Sequence, residues 1–272
     1  MITHLSLFSG IGGLDLAAEM AGITTVGQCE WADFPTKVLE KHWPDVPRWR
    51  DIRTLTKESF YERTGLRTVD IVSGGFPCQP FSVAGKRRST EDDRYLWPEM
   101  LRVLREIRPR WVVGENVAGI INLALDTVLS DLENEGYSTE AVVIPACSVN
   151  APHRRDRVAI LAYSMCDRSE TGASDSKRGQ EGKSAELIDS RKNVAHAQSW
   201  GEQRQQSVGR EAWRSGSRGS IFSAEWWATE PELGRVAYGI PHRVDRLRCL
   251  GNAVVPQQFY PIFRGIAELE RR

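Results

Sequence analysis

A cysteine held between two prolines is the residue best placed to do chemistry in this chain. Cys78 lies in the octapeptide GFPCQPFS, residues 75–82, directly after a strand-like run over residues 69–73. Proline fixes φ and has no backbone N–H, so Pro77 and Pro80 favour an extended, non-helical path for the loop. A thiol held in this way could act as a nucleophile. The same pattern also fits a buried structural cysteine in a proline-rich turn, so the surrounding residues must decide.

A glycine-rich turn follows the first predicted strand. Residues 8–13 read FSGIGG and lead into a predicted helix. Glycines let a ligand approach the backbone closely, and a helix N-terminus favours an anionic group. A dinucleotide-binding fingerprint would need a third glycine at position 15, where this chain has Asp15, so a dehydrogenase is disfavoured. Glu30 ends the second predicted strand, where an acid commonly binds ribose hydroxyls, although a solvated acid fits equally well.

The other polar candidates each have an ordinary explanation when taken alone. Glu115 and Asn116 could form a turn after a strand. Arg155 and Arg157 could lie on a strand and pair with surface acids, and Asn252 could cap a helix.

Alternating strand-like and helix-like patterns would position these residues. Strands that alternate with helices predict an α/β fold, a Rossmann-like sheet with helices on both faces. In such sheets ligands bind at the carboxyl ends of the strands, where the loops 9–13, 74–82 and 115–116 are expected. The predicted strands cover residues 3–8, 24–30, 69–73, 111–114, 139–146 and 158–163, and the predicted helices cover residues 14–21, 34–42, 96–107, 123–135 and 257–269.

Composition divides the chain into three parts. Residues 1–163 carry the alternating pattern. Residues 164–225 are rich in Ser, Gly, Gln, Arg and Glu and poor in aliphatic residues, which predicts a short, polar, partly disordered insert. Residues 226–272 begin with two tryptophans and return to a helix-like pattern.

Whole-chain composition excludes several classes of protein. The 272 residues have a formal net charge of zero, so a local basic surface would have to supply any affinity for nucleic acid. The five cysteines are scattered without a Cys-x-x-Cys, which disfavours a disulfide framework and a zinc ribbon. No signal-peptide pattern and no apolar run of membrane-spanning length occur. We therefore expect a cytoplasmic monomer without a metal or a membrane partner.

Taken together and in order, the motifs resemble those of the DNA cytosine-5 methyltransferase family. One match could be chance, but seven in the family's order could hardly be. They span residues 3–163 and about 240–262. The matching segments are residues 8–13 and 30–31 and 51–52 for the cofactor, 75–82 for the catalytic loop, 115–117 for the acid motif, 155–157 for the arginine motif and 250–256 for the closing motif.

The resemblance implies covalent methyl transfer to a cytosine that is flipped out of the duplex. Carbon 5 of cytosine is a poor nucleophile until a thiolate, here that of Cys78, adds to carbon 6. The resemblance implies that Glu115 hydrogen-bonds ring nitrogen 3 and the exocyclic amine, while Asn116 helps to hold the loop. It also implies that Arg157 contacts the carbonyl oxygen of the base and Arg155 the site or a nearby phosphate. The methyl donor would be S-adenosylmethionine.

The resemblance also implies contacts to cofactor and DNA. Double-stranded DNA would be gripped by Ser82, Lys86, Arg87 and Arg88, although a basic run is also an ordinary solvated surface. A cognate restriction endonuclease, and a restriction–modification or anti-restriction role, are hypotheses from the same resemblance. The implied cofactor contacts are Phe8, Ser9, Gly10, Ile11, Gly12, Gly13, Leu14, Glu30, Trp31, Asp51, Ile52, Pro77, Asn252, Ala253 and Val254.

The chain departs from the family in three places, and other functions stay open. The region before Leu250 lacks a clear copy of the motif that usually precedes the closing one. His153 stands where the family usually has glutamine, and the stretch that should choose the DNA sequence, residues 164–225, is short and polar. A zinc nucleobase deaminase would need Pro-Cys-x-x-Cys, but position 81 is Phe81. A tRNA cytosine methyltransferase remains an alternative, disfavoured because its Cys-Phe-Thr tripeptide is missing. A non-catalytic DNA-binding relative would not need the thiol.

Overall fold

The structure is a computed structural model that describes residues 1–77, 95–164 and 241–271. Seven strands within these residues form one sheet. Among the described helices, none combines the length and the apolar character that crossing a membrane requires. The strands are β1 (Thr3–Leu7), β2 (Thr24–Cys29), β3 (Arg48–Trp49), β4 (Ile71–Gly74), β5 (Trp111–Val117), β6 (Tyr137–Ile144) and β7 (Arg157–Ser164).

Helices connect most of these strands. Two short 3-10 helices, Ile52–Thr54 and Ala146–Val149, complete the described elements. The α-helices are α1 (Gly13–Met20), α2 (Asp33–His42), α3 (Lys57–Thr64), α4 (Trp97–Ile107), α5 (Ile120–Leu123), α6 (Leu125–Asn134), α7 (Arg243–Asn252) and α8 (Pro256–Glu270).

The strand order confirms the predicted α/β class. It runs β3-β2-β1-β4-β5-β7-β6, with β1 to β5 parallel and β7 antiparallel to both of its neighbours. The chain moves outward from β1 through β2 to β3, then crosses to β4 on the other side of β1. A reversal of this kind opens a crevice at the carboxyl ends of the two central strands. The loops after β1 and β4 therefore begin at that crevice.

Two apolar layers cover the sheet, one on each face. Successive strand residues point to opposite faces, so a strand buried on both sides carries mostly apolar residues. Val112 of β5 packs in the layer that contains Phe60 of α3 and Met100 of α4. Val113 packs in the other layer, with Phe263 of α8 and the face of α1 that carries small side chains. The C-terminal helix α8, predicted over residues 257–269, is thus part of the core.

Several features differ from the prediction. Strand β5 continues to Val117 instead of ending at Gly114, so Glu115 and Asn116 lie within a strand and not in a loop. The cause is pairing with β7, which continues as far as the last residue of β5. Strand β3 and helices α3, α5 and α7 were not predicted, and β6 ends at Ile144 instead of residue 146. Helix α3 buries only Phe60, so it has almost no apolar periodicity, and it is defined instead by a capping box between Thr56 and Ser59.

A buried histidine ties the three central strands together. His4 of β1 is fully buried, and its Nδ1 lies 2.9 Å from the hydroxyl of Thr25 on β2. Its Nε2 lies 2.7 Å from the hydroxyl of Ser73 on β4. Burial lowers the pKa of His4 to about 3, because a charged imidazolium would lose its hydration. The folded protein therefore holds this ring neutral at all pH values at which an exposed histidine would titrate.

This burial predicts a pH-dependent free energy of unfolding. Between the folded pKa of about 3 and the ordinary pKa of 6.5, only the unfolded chain protonates His4. The contribution of the neutral buried ring to the free energy of unfolding is therefore complete above pH 6.5 and is lost as the pH falls below that value. We expect a slope of about 1.4 kcal/mol per pH unit from this group in that window. Urea unfolding at several pH values should show a slope shallower by that amount in His4→Gln.

The exposed His42 provides the control for this measurement. His42→Gln should keep the pH slope of the wild type, because that ring is exposed in the folded chain. Equal slopes in His4→Gln and in the wild type would contradict a neutral buried ring.

Candidate active site

The loop after β1 reaches the crevice through residues with left-handed backbone conformations. Phe8, Gly10 and Gly12 have φ values of 52°, 55° and 86°. At Gly12, which caps α1, a Cβ atom would lie 2.4 Å from the ring of Trp43, so both the conformation and the space require glycine. Gly13 and Leu14, the first two residues of α1, line the crevice.

Glu30 is held by two backbone groups immediately after β2. Its Oε2 accepts a hydrogen bond from Gly10 N at 2.8 Å, and its Oε1 accepts one from Ala32 N at 2.7 Å. A carboxylate has about four lone-pair sites, so each oxygen can still accept from a ligand hydroxyl. Trp31 follows with 69% of its surface exposed. The carboxylate of Glu30 is therefore fixed in place, and the indole of Trp31 next to it is largely exposed to solvent.

Asp51 plays a local role in addition to any ligand contact. Its Oδ1 accepts a hydrogen bond from Arg53 N at 2.9 Å and so caps the 3-10 helix that begins at Ile52. The side chain of Ile52 is buried. This cap fixes the backbone at the end of β3 on the side of the crevice where Glu30 lies.

A carboxylate and a guanidinium are buried side by side where β5 pairs with β7. Glu115 is 8% exposed and Arg157 is 9% exposed. Arg157 Nε lies 2.7 Å from Glu115 Oε1, although its N–H is not aimed as in a hydrogen bond, so the contact is chiefly electrostatic. Burial raises the pKa of Glu115, and the charges of Arg157 and Arg155 offset part of the rise. This carboxyl therefore holds a proton more readily than an exposed one.

The strand end that leads to Cys78 is packed against this pair. A Cβ atom on Gly75 would lie 2.7 Å from Oε2 of Glu115. Asn116 Nδ2 donates a hydrogen bond to the carbonyl of Phe76 at 3.0 Å, and Leu96 N donates to the carbonyl of Pro77 at 3.4 Å. The last described residues before the cysteine are therefore fixed from both sides.

Most of the predicted site residues meet in one cleft of about 1340 Å³. Glu115 and Arg157 line it, but Arg155 does not. Cys78, Ser82 and the basic run Lys86, Arg87 and Arg88 lie outside the described residues. Of the expected cofactor contacts, those that line the cleft are Phe8, Ser9, Gly10, Ile11, Gly13, Leu14, Glu30, Trp31, Asp51, Ile52, Pro77, Asn252, Ala253 and Val254.

Helix α7 contributes residues that the sequence did not indicate. Asp245 and Arg248 line the cleft, and the ring of His242 lies 5.8 Å from that of Phe34. These residues lie in or directly before a helix whose apolar side chains Val244, Leu247 and Leu250 are exposed, so that helix has no large buried apolar face. Arg155 lies beyond the cleft wall, where its guanidinium contacts backbone carbonyls.

The family of the chain follows from comparison with known proteins. Residues 2–223 match the C-5 cytosine-specific DNA methylase family, and the chain belongs to that family. It is similar to the Type II methyltransferase M.HgiCII of Herpetosiphon aurantiacus, with 34% identity over 165 residues, which are 58% of this chain and 36% of that protein. It is also similar to the Type II methyltransferase M.Eco47II of Escherichia coli, with 36% identity over 167 residues, 59% of this chain and 39% of that protein. The match thus spans less than half the length of these relatives.

Solved structures share the fold. The S. pombe Dnmt2 methyltransferase has a TM-score of 0.52 and 25% identity, over 61% of this chain and 52% of that chain. A Spodoptera frugiperda DNMT2 mutant also has a TM-score of 0.52, with 21% identity over 65% of this chain and 54% of that chain. The Rossmann-like sheet is common to all three.

The close contact between Gly75 and Glu115 predicts that a side chain at position 75 lowers the free energy of unfolding. In Gly75→Ala the added methyl group must displace the buried carboxylate, because its position is 2.7 Å from Oε2. We expect a decrease of about 1–3 kcal/mol in the free energy of unfolding, measured by urea denaturation.

Gly119→Ala is the matched control. A Cβ atom there would meet nothing closer than Leu123 at 4.0 Å, and its φ of −59° suits alanine. A loss in Gly75→Ala no greater than that in Gly119→Ala would show that Glu115 can move aside freely.

Proposed function

We propose that this chain transfers a methyl group from S-adenosylmethionine to carbon 5 of cytosine in double-stranded DNA. The observation that carries the proposal is the buried Glu115–Arg157 pair, which lies against the strand end that leads to Cys78. The same cleft contains the glycine turn after β1 and the fixed carboxylate of Glu30. Membership of the C-5 cytosine-specific DNA methylase family supports this reading.

The residues around the glycine turn fit S-adenosylmethionine. At Gly10 nothing lies within 4 Å of the position of a Cβ atom, so a ligand could approach the backbone of the turn there. The N-terminus of α1 suits the carboxylate of the amino-acid part. Glu30 would accept the ribose hydroxyls, and the exposed ring of Trp31 would stack on the adenine. When bound, S-adenosylmethionine supplies the electrophilic methyl sulfonium.

The other end of the cleft would activate the base. The Cys78 thiolate uses an electron pair to form a bond to carbon 6, and the ring electrons move toward nitrogen 3. Glu115 would donate its proton to that nitrogen, which leaves carbon 5 as a nucleophile. Transfer of the methyl group to carbon 5 would leave S-adenosylhomocysteine. A water molecule would then accept the carbon 5 proton, the electron pair of that bond would form the carbon 5–carbon 6 double bond, and the sulfur–carbon bond would break with its electron pair returning to Cys78. Nitrogen 3 would return its proton to Glu115. Burial suits Glu115 to the role of acid, since it raises the pKa of this carboxyl.

Arg157 would serve both the acid and the base. Its position beside Oε1 of Glu115 orients that carboxyl, and its remaining donors could reach the carbonyl oxygen of cytosine. Arg157 Nη1 already donates to the carbonyl of Asp156 at 2.9 Å, which restrains the guanidinium plane. The pair would therefore present a proton and a hydrogen-bond donor in a fixed relation.

DNA would enter with the target base flipped out of the helix. Ser82 and the basic residues 86–88 would contact phosphates, and residues 164–225 would select the target sequence. Residues 1–163 would form the catalytic and cofactor-binding domain, to which residues 226–272 return; the packing of α8 against α1 supports this division. We place the protein in the cytoplasm as a monomer, in restriction–modification with a cognate endonuclease or in anti-restriction.

Replacing the nucleophile should abolish transfer but not cofactor binding. In Cys78→Ala we expect methyl transfer to DNA from labelled S-adenosylmethionine to fall by at least about 10³-fold, because no thiolate remains to add to carbon 6. The exposed Cys147 supplies the control, and Cys147→Ala should transfer normally. Bisulfite sequencing of DNA from expressing cells would identify the methylated cytosines.

Three results would count against the proposal. Wild-type turnover in Cys78→Ala would rule out the covalent mechanism. Label in tRNA but not in DNA would establish the tRNA methyltransferase alternative. Label in neither substrate, with cofactor binding intact, would identify a non-catalytic relative.

Replacing the acid should reduce the chemical step. Glu115→Gln keeps the shape of the side chain but removes the ionisable carboxyl that faces Arg157, and with it the transferable proton. We expect kcat to fall by about 10²–10⁴-fold, with the dissociation constant for S-adenosylhomocysteine little changed. Unfolding in urea would verify that the variant is folded, since Arg157 loses its counter-charge.

Glu140→Gln, on the exposed side of β6, is the control and should be neutral. Full turnover in Glu115→Gln would exclude Glu115 as the proton donor.

A further inference from the structure

Two side chains connect the region between β6 and β7 to the start of α8 and the segment before it. One donates its hydrogen bonds in one direction and the other donates in the reverse direction. Arg155 Nη2 donates to the carbonyls of Gly251 and Ala253, both at 2.6 Å. Gln258 Nε2 donates to the carbonyl of Ile144 at 2.7 Å and to that of Arg155 at 3.2 Å. Arg155 is therefore a donor through its side chain and an acceptor through its backbone. We call Arg155 and Gln258 together the latch.

The backbone and burial of the latch indicate that it is held under constraint. Arg155 has a φ of 35°, a left-handed conformation that non-glycine residues rarely adopt. Gln258 is 1% exposed, and its Oε1 has no hydrogen-bond partner in the described part of the chain. Strained backbone and buried polar groups persist only where the surrounding structure requires them. The two features occur at the same contact, between segments about 100 residues apart.

The segment held by the latch forms one wall of the cleft. Residues 251–254 all line it, and this segment lies against the glycine turn. A Cβ atom on Gly13 would lie only 2.9 Å from the carbonyl oxygen of Val254. Movement of the segment would therefore change the width of the cleft at the N-terminus of α1.

We propose that Arg155 and Gln258 are positioning residues that hold residues 251–254 against Gly13 and so set the affinity for the cofactor. This inference rests on the proposed function for the identity of that cofactor. It gives Arg155 a role different from a phosphate contact, because both bonds of its Nη2 are already made to the protein. Its positive charge also lies near Glu115, so the latch joins the cofactor end of the cleft to the base end.

The test measures cofactor affinity in variants that remove the latch from either side. Calorimetry with S-adenosylhomocysteine on the full chain needs neither DNA nor turnover. We expect Arg155→Met and Gln258→Met each to weaken binding by about ten-fold or more, since each variant loses two hydrogen bonds to backbone carbonyls. Arg155→Lys should recover part of the affinity, because one ammonium can donate to both carbonyls. Arg154→Met is the control: Arg154 is adjacent and 82% exposed, so binding should be unchanged.

A second measurement separates the latch from a DNA contact. Loss of one phosphate contact lowers the slope of log affinity for DNA against log salt by about 1. With a cytosine-containing duplex as probe, the latch predicts the wild-type slope in Arg155→Met and in Gln258→Met. A reduced slope in Arg155→Met, with cofactor affinity intact, would overturn the proposal in favour of a phosphate contact.

The affinities of the variants for S-adenosylhomocysteine can be interpreted independently of catalysis. S-adenosylhomocysteine affinity within about two-fold of the wild type in both Met variants would overturn the latch even if methyl transfer is observed. Absence of transfer in the wild type would defeat the proposed function but leave the affinity series interpretable. Urea unfolding of each variant verifies that weakened binding reflects the cleft and not a loss of fold.

Discussion

A buried carboxylate beside a buried guanidinium is the constraint on which the rest of the site depends. Removing two charges from water is costly, and removing only one partner of such a pair typically destabilises a protein by about 3–5 kcal/mol. The sheet meets this requirement by extending β5 beyond β4, so that Glu115 and Asn116 pair with β7 instead of entering a loop. Gly75 then leaves room for the carboxylate. The position of the acid is therefore a property of the sheet and not of a mobile loop.

The two ends of the cleft are built by different means. The end with Glu115 and Arg157 belongs to the regular ladder of the sheet, where neighbouring strands fix each other. The end with the glycine turn depends on residues far apart in sequence, because its outer wall, residues 251–254, returns from the C-terminal part of the chain. Packing of α8 against α1 brings that wall near the turn, and Arg155 and Gln258 hold it there.

Local sequence patterns were sufficient for the elements but not for the contacts that define the site. The α/β class, the glycine turn and α8 are evident from periodicity and from glycine spacing, because each reflects interactions within a few residues. The true end of β5 is not, since it depends on pairing with β7 about 40 residues later. The bonds from Arg155 to Gly251 and Ala253 span 96 and 98 residues and have no sequence signal. The role of Cys78 remains a prediction from its motif.

The register of β4 and β5 has a consequence for how such proteins can diversify. Gly74 pairs with Gly114, so the segment that leads to the thiol and the strand that carries the acid leave the ladder as neighbours. Their separation is then set by the distance between adjacent strands, about 4.8 Å, which is the same in every sheet. An insertion or an exchange of sequence after β7 leaves that spacing unaltered. The segments proposed to react with the base and the region proposed to select it can thus change independently during evolution.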